Sequence, residues 1–111
     1  MSYEEMIAGL KNLPREEKRA DLPDYLELVF SRDGLLAASA VLEDYFGEPF
    51  KKTGEKPSDA AILYTANCCG IQAQQTLYVD EAEGNLVLAM IWPWGNGLAA
   101  TVKVIREKRD K

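Results

Sequence analysis

Residues 86–92, LVLAMIW, carry no polar side chain. Successive side chains of a strand point to opposite faces. Extended, this segment puts Leu86, Leu88, Met90 and Trp92 on one side and Val87, Ala89 and Ile91 on the other. A strand with one wet face alternates apolar and polar residues instead. The chain must therefore find cover for both sides of whatever sheet contains this strand, and it has 111 residues with which to do so.

That length suits one domain over residues 1–111. No apolar run approaches the length of a membrane-spanning helix. The first residues, MSYEEMIAGL, lack the basic-then-apolar layout of a secretion signal. A cytoplasmic protein with no membrane partner is the expectation. The net charge is −5, with basic residues concentrated in KVIREKRDK, residues 103–111. Neutralising phosphates requires a basic face. An acidic body with a short basic tail does not supply one, so no nucleic-acid partner is expected.

The first half reads as helical. Ser2 and Glu5 have capping-box spacing, and Tyr3, Met6, Ile7 and Leu10 follow as one apolar stripe. Pro14 can open a second, mostly charged helix in PREEKRA. The segment DYLELVFS, residues 24–31, suits either period and is assigned to helix. Asp33 can cap GLLAASAVLEDYF, with Gly47 as its stop and Leu35, Ala38, Leu42 and Phe46 along one side. Residues 47–57, rich in Gly, Pro and Lys, form a connection. SDAAILYTANCCG is assigned to helix by its length and its Ser58 cap.

The second half reads as three antiparallel strands. IQAQQTLYV, residues 71–79, places Leu77 and Val79 on one face and Gln72, Gln74, Thr76 and Tyr78 on the other. DEAEGN is a hairpin loop. Asn96-Gly97 favours a two-residue turn into LAATVKVIRE. Taken strictly, that turn pairs Trp92 with Thr101 and Met90 with Lys103. A shift of one residue exchanges the faces and sets Leu98, Ala100, Val102 and Val104 beside Trp92, Met90, Leu88 and Leu86. The shifted register is preferred, since it gathers the aliphatic residues on one face, with Pro93 and Gly95 absorbed in a longer loop or bulge. The expected fold is α+β: N-terminal helices packed on one face of a C-terminal three-stranded antiparallel meander.

On this reading the helices cover the Leu88 side, and Val87, Ala89 and Ile91 are left over. Residues 24–31 could cover them, or a second copy across a two-fold axis, or a ligand or other protein. The expected function is a binding, regulatory or accessory module that self-associates as a homodimer through this second sheet face. Trp94, Tyr78 and Ile91 contribute to the contact, with Val87 and Ala89 beneath and Gln72 and Gln74 at the border. Trp92 and Trp94 project to the same side near the turn. Trp94 is read as an anchor with Asn96 at its rim, and Trp92 as a plug at the end of the core.

The alternative is a cofactor-free enzyme, or an enzyme subunit, with a pocket between the sheet end and the helices. Tyr64, Tyr78, Gln72 and Gln74 would supply its polar groups. Histidine is absent, which removes the commonest proton-transfer side chain. No catalytic residue is assigned. Cys68-Cys69 offers too few ligands for a closed zinc site, and is read as two small apolar side chains, at least one buried, kept as thiols in a reducing cytoplasm. Glu43 with Asp44, and Asp80 with Glu81 and Glu83, are the adjacent carboxylates. They match no calcium loop, and no phosphate or dinucleotide fingerprint is present. No metal or cofactor is expected.

Overall fold

The computed structural model describes residues 1–82 and 84–108, apart from the side chain of Ala82. It is α+β, with helices α1 (Tyr3–Lys11), α2 (Arg32–Phe46) and α3 (Asp59–Thr65). The strands are β1 (Glu17–Leu22), β2 (Tyr25–Ser31), β3 (Thr76–Ala82), β4 (Asn85–Pro93) and β5 (Ala99–Lys108). They form one antiparallel sheet in the order β1-β2-β5-β4-β3.

The three-stranded expectation is corrected by the N-terminal hairpin. Residues 24–31 are not helical: β2 buries Leu26, Leu28 and Phe30 on one face, and carries half-buried Tyr25 and Glu27 with buried Val29 on the other. Nor does PREEKRA form a helix, because Glu17–Leu22 pair with β2 around the Pro23-Asp24 turn. β1 is almost wholly exposed and interrupted by a bulge between Lys18 and Ala20. Charge and a bulge are standard protection for a sheet edge. At the opposite edge, Lys51 bridges to Leu77 of β3.

The β4–β5 register is the tight-turn one, with Trp92 opposite Thr101 and Met90 opposite Lys103. The preferred shift by one residue is therefore wrong. The loop between Trp94 and Ala99 has four residues, closed by Trp94 N–H donating to the Ala99 carbonyl at 2.9 Å. An even loop preserves the parity of a two-residue turn, so extra length did not move the register. Gly97, at φ +72°, takes the left-handed position, and its N–H donates to the Trp94 carbonyl.

This register sends the aliphatic side chains of β5 to the opposite face from the one expected. Leu26, Val104, Ala89 and Tyr78 form one row across the sheet; Leu28, Val102, Ile91 and Thr76 form the next. α1 and α2 cover this inner face with Met6, Leu10, Ala38 and Leu42. Gly9 allows the two helices to lie close: a Cβ there would stand 3.2 Å from Val41. Ser2 and Glu5 form the expected capping box of α1. For α2, Ser31 is the cap, not Asp33; its side chain accepts from the Gly34 N–H, and Asp33 lies in the first turn.

α3 covers only part of the width of the outer face, and beyond it Val29 and Thr101 are buried too. α3, capped by Ser58, packs Ala61 and Tyr64 with Leu77, Leu86, Leu88 and Met90, joined by Cys69, Ile71, Val79 and Trp92. The helix stops at Thr65 and turns replace it through Cys69, so it is shorter than the 58–69 expected. β3 begins only at Thr76, which leaves Gln72 and Gln74 outside the sheet. The two greasy sides of β4 are thus covered by two different sets of helices from its own chain.

Candidate functional site

Val87, Ala89 and Ile91 are 4%, 0% and 6% exposed. They lie in the core beneath α1 and α2 and are not available as a contact surface. Tyr78 is buried with them, and its hydroxyl donates to Glu43 Oε2 at 3.0 Å. Gln72 and Gln74 are exposed in the loop before β3, hydrogen-bonded to each other at 2.8 Å. The structure therefore separates the predicted set. Four members are in the core, two are in a loop, and Trp92, Trp94 and Asn96 remain near the β4–β5 turn.

Around those three, the outer face of β5, β2 and β1 changes character. The row Leu77–Met90–Lys103–Glu27–Ala20 passes from apolar to charged where β4 gives way to β5. The cluster beneath α3 contains no residue of β5, β2 or β1. Here the Lys103 ammonium stands 3.6 Å from the centre of the Trp92 ring, and the Arg19 guanidinium 5.5 Å from that of Trp94. Cations over indole faces are attracted by the ring quadrupole. The Trp94 Nε1–H donates to Thr101 Oγ1 at 3.0 Å, fixing the ring across β5. Trp94 remains 37% exposed. Arg19 also pairs with Glu17 and Glu27, and Tyr25 donates to Glu27.

Trp92 is half-buried against the Met90 cluster, and its Nε1 is buried with no hydrogen-bond partner among the described residues. Asn96 turns inward on its own loop, with Oδ1 accepting from the Leu98 N–H. Arg19, Lys103 and Thr101 were missed by sequence reasoning. Arg19 lies in PREEKRA, whose composition reads as helix. Lys103 and Thr101 are joined to the tryptophans by the strict turn register, which was legible but set aside.

Several concave regions also exist. Clefts of about 470, 460 and 420 Å³ differ little in size. The second, between α2 and the ends of β3 and β4, is lined by Ser39, Glu43, Lys52, Thr53, Thr76 and Tyr78 over an apolar floor that includes Ile91. It lies between helix and sheet end, where a pocket was anticipated, with Tyr78 but without Tyr64 or the glutamines. Tyr64 belongs to the α3 side, where it donates to Glu81.

The adjacent carboxylates Asp80 and Glu81 diverge, and Glu83 lies outside the described residues. Asp80 accepts from Tyr45 at 2.8 Å on the inner side, whereas Glu81 faces Tyr64 on the outer side. They do not form an acid–base pair. Among the described residues no cluster of three metal-ligating side chains occurs. Cys68 and Cys69 are bonded to each other, which corrects the free-thiol reading.

The tyrosines predict an alkaline limit. Burial, reinforced by a carboxylate acceptor, pushes Tyr25, Tyr45 and Tyr78 well above the ordinary value of 10.0. The folded state holds these protons more tightly than the unfolded chain. Their contribution is complete below pH 10.0 and is lost as pH rises through the folded values. The melting temperature should fall progressively above about pH 10, and Tyr78→Phe should flatten that decline. An unchanged melting temperature through this window would refute the assignment.

Compared with protein-family models, with curated proteins and with solved structures, the chain gives no match. No helix is long and apolar enough to cross a membrane, among the described residues.

Proposed function

We propose that the protein is a binding module that associates with a second copy of itself through the half of its outer sheet face that α3 does not reach, around Trp94. The observation that carries this reading is the exposed indole itself. It is hydrogen-bonded in place to Thr101 and approached by Arg19, which also pairs with Glu17 and Glu27, while Lys103 stands over the neighbouring Trp92 ring. A two-fold axis presents a patch to its own copy, so a patch with both signs is self-complementary. Tryptophan and arginine are enriched at the centres of such contacts. The contact passes through Trp94 and not through the Val87–Ile91 side, because the chain's own helices occupy that side.

Sedimentation equilibrium over a wide concentration range tests this. The native chain should dimerise. Arg19→Glu should weaken the dimer by about tenfold or more and leave the circular-dichroism spectrum intact. A strict monomer at high concentration would overturn the proposal, as would equal dimerisation by Arg19→Glu and the native chain.

A second reading, a small-ligand or cofactor-free catalytic pocket, is favoured by the cleft at Glu43. Its volume of about 460 Å³ falls in the small-molecule range. The Tyr78–Glu43 bond and the Thr53–Thr76 hydroxyl pair give it convergent polar groups. Small organic acids and amines that raise the melting temperature of the native chain, but not of Glu43→Gln, would place ligand binding there.

A further inference from the structure

We infer that Cys68–Cys69 is a thiol–disulfide exchange site that accepts electrons from a low-molecular-weight thiol in the folded protein. The inference is independent of how the Trp94 face is used.

The turn after α3 presents the two sulfurs differently. The N–H groups of Cys68, Cys69 and Gly70 all donate to the Thr65 carbonyl, at 3.2, 3.1 and 2.9 Å. Thr65 is itself buried, with its hydroxyl donating to the Ala61 carbonyl at 3.0 Å. Gly70, at φ +69°, completes the reversal. This anchored turn holds Cys68 exposed and Cys69 half-buried. Cys69 packs with the outer cluster, its sulfur 3.3 Å from Met90 Sδ. Cys68 is the more exposed residue of the pair, its sulfur 3.6 Å from the Thr65 carbonyl, and Cys69 is backed by apolar side chains. The bond closes a loop between adjacent residues. It ties no distant segments together, so a role as a structural staple is not what it supplies.

The exchange balances without any further reactant. A thiolate attacks Cys68 Sγ, the Cys68–Cys69 bond breaks, and Cys69 leaves as a thiolate that takes a proton from water. A second thiolate then attacks the external sulfur of the mixed disulfide. The small disulfide departs, and Cys68 leaves as a thiolate that is protonated in turn. Two thiols are oxidised to one disulfide, and the protein disulfide is reduced to two cysteines. Attack at Cys68 is favoured by access. Cys69 is the better buried of the two and the one that the Met90 cluster keeps from solvent.

The test uses the full chain and glutathione. The protein purified without reductant, then denatured and treated with an alkylating reagent, should take up no label. Incubation of the native protein with millimolar glutathione before denaturation should make both cysteines label, with the circular-dichroism spectrum unchanged. Cys69→Ser, which leaves only Cys68, should form a mixed disulfide with oxidised glutathione in the native state. Cys68→Ser should do so several-fold more slowly, because Cys69 is the less exposed of the two. Labelling of both cysteines without any reductant would overturn the inference. So would a bond that glutathione reduces only after denaturation, or equal rates for the two serine variants.

Discussion

Ala89→Glu should abolish cooperative folding. Ala89 is fully buried at the centre of the inner face, between Val104 on one side and Tyr78 on the other. A glutamate there adds volume to a packed site, at about 1–3 kcal/mol. It also places an unpaired carboxylate out of water, which costs several kcal/mol more. Small domains have about 5–15 kcal/mol in total, so the folded population should collapse. A thermal scan by circular dichroism should show no transition. Leu28→Ala, in the neighbouring row, gives a graded companion, with an expected loss of about 2–5 kcal/mol. The result separates two uses of the same residues. If Ala89 lay in a contact between subunits, its glutamate variant would remain a folded monomer with a full helical signal. The packing of α1 and α2 over this face excludes that outcome.

Lys51→Met should cost about 1–3 kcal/mol, though the methionine keeps most of the apolar stem. Lys51 is 3% exposed. Its ammonium donates to the carbonyls of Lys52, Ala73 and Gln75, at 2.9, 2.6 and 2.5 Å. Its backbone N–H and carbonyl both bond to Leu77. One side chain thus ties the connection after α2 to the loop that leads into β3. Burial lowers the Lys51 pKa from its usual range, and the three carbonyl dipoles offset the loss of water around the charge. Without the ammonium, the Gln75 carbonyl loses a donor within a buried region. The melting temperature should drop by on the order of 10 °C for a domain of this size. Lys51→Arg should not restore it, because a planar fork does not match three carbonyls converging on one point. A melting temperature within about 3 °C of the native value would show that the clamp contributes little.

The two halves of the chain were unequally legible. α2 was readable to its buried side, since Ala38 and Leu42 recur at helical spacing and Gly47 ends it. α1 was readable to its cap. β2 carried a clear alternation of Leu26, Leu28 and Phe30, but its length also admits a short helix, and that ambiguity hid two strands at once. β1 carries no apolar period at all, because an edge strand with both faces near water has nothing to bury. No periodicity argument finds such a strand. It is found only through its partner.

The candidate surface depended on the same step. With three strands, the aliphatic side chains of β5 had to choose a face by matching β4 alone, and matching favoured the shifted register. With β2 present, β5 is the central strand, and Val102 and Val104 stand beside Leu28 and Leu26 under α2 and α1. The turn chemistry of Asn96-Gly97 had pointed to the right register throughout. Trp94 was identifiable as an anchor from its place beside that turn. Its covering cation was not, because Arg19 is brought to it from a strand the sequence did not reveal.

The sequence by itself determined that β4 is greasy on both sides and must be sandwiched, because alternation in a strand is local and needs no partner to read. It likewise determined two of the helices, whose period and caps lie within a few residues of each other. Only the tertiary structure decided which segments do the sandwiching: α1 and α2 inside, α3 outside, all from one chain. That assignment rests on pairing between residues far apart along the chain, where the free energy of burial is shared among strands and no short window carries its sign.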